Sequence, residues 1–145
     1  MSISLRALLS ALLFCCTLAD AQNIAFGLKN HPDGPVALVN CVPGTFRSES
    51  DRRQFFTVRN ESDKVTAAVV FEEAISDGSK TEIVALERVS IIIKPREKKR
   101  LSVSVRDVWD RIKSGEGIGK PLISVVVVEF VDDTSWSAPE DRAHR

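Results

Sequence analysis

The side chains able to do chemistry are few and scattered along this chain. His31 and His144 are the two histidines, the residues that titrate near neutrality without help. His31 precedes Pro32 in a turn-rich stretch, and His144 is next to the last residue. Cys41 with His31 would make a thiol nucleophile and its base. A thiolate needs an electropositive, partly open setting, however, and Cys41 lies in an apolar run with Val39 and Val42. The expectation is a buried, inert thiol, with a disulfide between two chains as the alternative. Two distant histidines and one thiol do not form a zinc pattern. Asp132 and Asp133 offer oxygens but lack the alternating acids of a calcium loop, and they read as a solvated turn. Glu72 and Glu73 end an apolar run and read as keeping a strand end wet. Asp107 and Asp110 fall at i, i+3, on one helix face, and read as solvated. The sequence therefore predicts no catalytic residue, no metal ligand and no cofactor.

Three features suit contact rather than catalysis. Lys94, Arg96, Lys98, Lys99 and Arg100 form a basic run, diluted by Glu97. It reads as a solvated hairpin end that guards an edge, or as a contact for an anionic partner. Without interleaved aromatics it is a poor nucleic-acid groove. Trp109 and Trp136 lie near element ends. Trp109 is expected to fix a helix to the core. Trp136 is expected either to pack or to stand exposed as an interface anchor. Asn60-Glu61-Ser62 matches a glycosylation sequon and serves equally as a turn.

The elements that must position these groups are mostly strands. Val36 to Val42 is an apolar run closed by Pro43-Gly44, and Thr45 to Arg53 reads as a charged loop. Gln54 to Asn60 and Lys64 to Glu72 read as strands, the latter with Val65, Ala67, Val69 and Phe71 on one face. Asp77-Gly78 marks a turn. A weak strand is expected over Thr81 to Leu86 and a strong β-branched one over Val89 to Ile93. Leu101, Val103 and Val105 alternate with serines as a half-buried strand does. The period then changes, and Val105, Val108, Trp109 and Ile112 predict a short helix over Asp107 to Lys113, stopped at Ser114-Gly115. Pro121 to Val131 is a long apolar strand. Its continuity predicts a central strand covered on both faces, or one whose outer face meets a partner. The fold class expected is all-β: an immunoglobulin-like antiparallel β-sandwich of about seven strands, with one short crossover helix closing an end.

The start of the chain reads as an export signal. Arg6 precedes an apolar run from Ala7 to Leu18, and Ala19-Asp20-Ala21 has the small-x-small form that signal peptidase cuts. Cleavage after Ala21 removes Cys15 and Cys16 and leaves about 124 residues, the size of one domain. Lipid attachment at Cys15 or Cys16 is disfavoured, because the preceding Phe14 or Cys15 is not the small residue expected there. The expected layout is a signal peptide over 1–21, an N-terminal extended segment over 22–35, a β-sandwich domain over 36–136 and a flexible tail over 137–145. Location is then secreted or periplasmic, with no transmembrane segment after cleavage. The 145 residues carry no formal net charge, which argues against a globally basic nucleic-acid binder.

Two patterns resemble known sandwiches of the pilus-chaperone and major-sperm-protein type. One is Phe56-x-Val58-x-Asn60-x-Ser62 followed by an alternating strand. The other is Ile91-x-Ile93-x-Pro95, a charged turn, then Leu101-x-Val103-x-Val105. The end of the chain also looks like exported bacterial proteins of uncharacterised function that finish on a strand, an Asp-Gly-Thr-like turn and a Trp. Here the turn is Asp132-Asp133-Thr134, with Asp133 where glycine is favoured, followed by Trp136. The resemblance implies packing rather than chemistry. The basic residues with which pilus chaperones hold a subunit's carboxylate are not placed on this chain, so that activity is not carried over. The functional expectation is an exported, non-catalytic interaction module whose partner is a protein or an anionic envelope surface. A periplasmic chaperone-like protein and a cell-envelope enzyme accessory are the alternatives.

Overall fold

Alternating apolar residues fix the strands, and breaks in that alternation fix their irregularities. The computed structural model describes residues 24–42, 52–115 and 119–139. Among them are eight strands and one helix: β1 (Gly27–Lys29), β2 (Val36–Val42), β3 (Arg53–Asn60), β4 (Thr66–Ser76), β5 (Thr81–Ile93), β6 (Lys98–Ser104), α1 (Arg106–Lys113), β7 (Lys120–Phe130) and β8 (Ser135–Ser137). One sheet runs in the order β1-β7-β4-β5, with β8 also paired to β7; the other runs β2-β3-β6. All pairings are antiparallel except that of β1 with β7, which is parallel. The architecture is an all-β sandwich, in which α1 carries the chain from β6 of the smaller sheet to β7 of the larger.

The core is contributed by both inner faces. In β3 the pattern is strict: Gln54, Phe56, Val58 and Asn60 are buried, and the residues between them are half-buried. Phe56, Val58 and Val103 meet Val69, Phe71, Ile123 and Val128 of the larger sheet in one apolar cluster. Val105, just ahead of α1, and Val108 within it close the cluster. The core also takes Ile24 and Phe26, and the Phe26 ring stands edge-on to Phe56 at 5.7 Å. The extended segment expected over 22–35 is thus partly inside the sandwich, which does not begin at Val36. Ile24, Phe26 and Leu28 alternate, but over only five residues in an otherwise polar, turn-rich stretch. At the other end Ser137, assigned to a tail, completes β8.

Two strands depart from the expected reading. The runs Thr81 to Leu86 and Val89 to Ile93 form one strand, β5. Its central Glu87 and Arg88 are accommodated because Arg88 reaches Glu129 across the outer face and Glu87 reaches Arg53. In β4 the expected face of Val65, Ala67, Val69 and Phe71 is split. The ladders to both neighbours slip between Thr66 and Ala68, so Thr66 and Ala68 are buried before Val69 and Phe71. Thr66 repairs the slip: its hydroxyl donates to the Ile91 carbonyl at 3.1 Å and accepts from the Ile93 N–H at 3.0 Å. The expected signal segment 1–21 and most of the loop expected over 45–53 lie outside the described residues.

Candidate functional site

The most unusual group in the molecule is a carboxyl in the core. β4 runs on to Ser76, so Glu73 falls inside the strand rather than at its end, between Ala85 of β5 and Ile123 of β7. Glu73 is 1% exposed, and its Oε1 has no hydrogen-bond partner among the described residues. The expectation that Glu72-Glu73 keeps a strand end wet is therefore wrong for Glu73, while Glu72 stays half-exposed on the opposite face. Burial, with added repulsion from Glu87 and Asp107, pushes the Glu73 carboxyl up to about 8. It is neutral over most of the physiological range. Strand parity is the signal that finds it: in a strand with Phe71 inside, Glu73 points the same way.

The other acids do not join it in an open cleft. Asp107 and Asp110, both exposed, border a shallow depression of about 390 Å³ with Val84, Arg111 and Ser114. Asp132 lies in the β7–β8 turn, where the Thr134 hydroxyl and Lys64 hold its carboxyl at about 2. Asp133 adopts φ 64°, so the turn forms with an acid in the left-handed conformation that favours glycine. No group of three or more metal-ligating side chains forms among the described residues.

Cys41 is half-buried on β2. Gln54 Nε2 donates to its Sγ at 3.1 Å, and burial pushes the thiol up. His31 is engaged elsewhere, its ring edge-on to Trp136 at 5.9 Å. Trp136 is half-buried in β8 opposite Val128 and packs on the core, so it is built into the sheet rather than left bare. Trp109 packs on the core from α1 with the Arg52 guanidinium 3.9 Å over its ring.

The basic run forms the β5–β6 turn and the first residues of β6. Arg96, at φ 66°, donates to the Glu61 carbonyl and sits 3.3 Å from Asp63. Lys99 lies 3.9 Å from Glu97, and Arg100 stacks 4.3 Å over Phe55. Lys94 and Lys98 are exposed. Much of the charge is thus spent on holding the turn. Asn60 anchors the facing turn: its Nδ2 donates to Lys64 O at 2.7 Å and Ile93 O at 2.9 Å, and its Oδ1 accepts from the Ser62 N–H and hydroxyl. With the side chain fully buried, Asn60-Glu61-Ser62 acts as a turn and not as an open sequon.

The open surface lies on β5. This 13-residue strand pairs only with β4 among the described residues, so one backbone edge is left over. Its ladder slips near both ends, leaving a regular stretch over residues 85–90. Leu86 is 63% exposed, Ile83 57% and Ile92 50%. The strand contains no Pro or Lys, and its charges, Glu82, Glu87 and Arg88, are paired within the fold with Arg111, Arg53 and Glu129. Sequence reasoning missed this surface because it divided the strand in two.

No known protein family, curated protein or solved structure matches this chain.

Proposed function

We propose that this chain is an exported, non-catalytic interaction module that takes an extended segment of a partner protein onto the edge of β5. The observation that carries this reading is the long strand with one edge unpaired among the described residues and with Leu86 and Ile92 exposed on its outer face. Backbone donors and acceptors along 85–90 give a partner strand its hydrogen bonds, and Leu86 and Ile92 give its side chains apolar contact. The pairing of Arg96 with Glu61 and Asp63 makes the basic turn a weaker contact for an anionic surface.

Site-specific photo-crosslinking in the native envelope tests the proposal. Probes at Leu86 and Ile92 are expected to trap one partner, and a probe at Val39, exposed on the other sheet, is not. Changing Leu86 and Ile92 together to Lys should abolish the adduct formed by a probe at Ser90. Equal trapping at Val39, or an adduct indifferent to the double change, overturns the edge as the binding surface.

A further inference from the structure

A carboxyl sealed in a sandwich with one oxygen unpartnered is a costly arrangement, and what covers it decides what it does. α1 packs against β4, the strand that carries Glu73, and against its neighbour β5, and brings Asp107 close enough to repel the carboxyl. The groups facing it are acidic or apolar. From α1 comes Asp107, and from β5 comes Glu87 beside Ala85. From β7 the opposite residue is Ile123. The cations nearby are committed elsewhere. Arg53 lies 3.4 Å from Glu87 and donates to Ser102, Arg111 pairs with Glu82, Arg106 is 3.9 Å from Asp110, and Arg52 covers Trp109. A second buried orphan, Trp109 Nε1, belongs to the same helix. The helix is short, has no side-chain cap at its N-terminus and buries Val108 alone without exposure. Its attachment is therefore slight enough for one buried charge to matter.

We infer that Glu73 is a proton-operated latch for α1: the helix sits closed over the sandwich while the carboxyl carries its proton, and giving that proton up to solvent drives α1 open. In the open state the carboxylate is hydrated, and Val105 and Val108 lose their cover. The inference does not depend on the β5 edge or on any partner.

Amide hydrogen exchange of the full chain, followed from pH 5 to pH 9.5, tests it. When opening is faster than exchange, the rate of every protected amide rises tenfold per pH unit from hydroxide alone. Amides of α1 should rise about a hundredfold per unit, because opening also releases one proton, and should return to tenfold above about pH 8. They must also exchange faster than those of β3 and β7, which report on the whole fold. Glu73→Gln should restore the tenfold slope throughout. Asp107→Asn, on the exposed face of α1, removes a repulsion and should move the break in slope to lower pH; this variant serves if Glu73→Gln does not fold. A tenfold slope in the unaltered protein overturns the latch. So does a steep slope that survives Glu73→Gln, or α1 exchange that coincides with the core.

Discussion

Single residues in this fold carry opposite linkages to pH. Glu73 has its folded-state value raised from the ordinary carboxyl range to about 8. Its stabilising influence is full below the unfolded value and is lost as pH rises toward 8, because the unfolded chain sheds the proton first. The loss between pH 4 and pH 7 is on the order of 3 kcal/mol, a large part of a small domain's stability. Asp132 runs the other way, its contribution being present above the unfolded value and lost as pH falls toward 2. Thermal melting is therefore expected to be highest near pH 4–5 and to fall on both sides. Glu73→Gln should flatten the alkaline limb and raise the melting temperature at pH 7. A melting curve insensitive to pH from 5 to 8 would contradict this. Asp133 gives a smaller residue-scale effect. At φ 64° it pays for a backbone shape that glycine adopts freely, so Asp133→Gly should gain about 0.5 kcal/mol in chemical denaturation.

At the scale of elements, the legible parts were those whose pattern is local. β2 and β7 were readable as continuous apolar runs, and β6 and α1 because apolar residues recur at two and at three-to-four. β5 was not, since Glu87 and Arg88 interrupt its apolar runs, and only the sheet supplies Arg53 and Glu129 to receive them. Glu73 was misread for a related reason. The end of β4 was placed at Glu72 by composition, while pairing with β5 and β7 carries the strand on to Ser76. The β4 and β5 slips needed three strands to define them. Asn60 was legible as a turn residue, but its burial was not. It ties β3, the following turn and the end of β5 through two donated and two accepted bonds. Asn60→Ala takes the side-chain donor from the buried Ile93 carbonyl and leaves the Lys64 carbonyl only the Ser62 hydroxyl at 3.2 Å, and should destabilise by about 1–3 kcal/mol, measured by urea unfolding. A loss below about 0.5 kcal/mol would show that the turn holds without it.

For the whole molecule, closure depends on the segment before β2 as much as on the long strands. β1 adds only three residues to the sheet, yet it lies along β7 as the one parallel neighbour, and Ile24 and Phe26 just ahead of it enter the core. Gln54, fully buried, donates to the Ile24 carbonyl at 2.6 Å, so the segment is also fastened by a hydrogen bond away from water. Asn30 holds its far side through paired bonds with the Leu38 backbone, at 3.0 and 2.8 Å. Removing residues through Asn30 would uncover an edge of β7, empty the space beside Phe56 and strand the Gln54 amide. Such a truncation is expected to abolish cooperative unfolding. Phe26→Ala, which leaves the backbone in place, should cost about 3 kcal/mol. The domain boundary read from composition at Val36 predicts instead that both changes are nearly silent. Unfolding transitions of the two variants against the parent chain therefore decide whether the sandwich is built from residue 24 onward, as its packing requires.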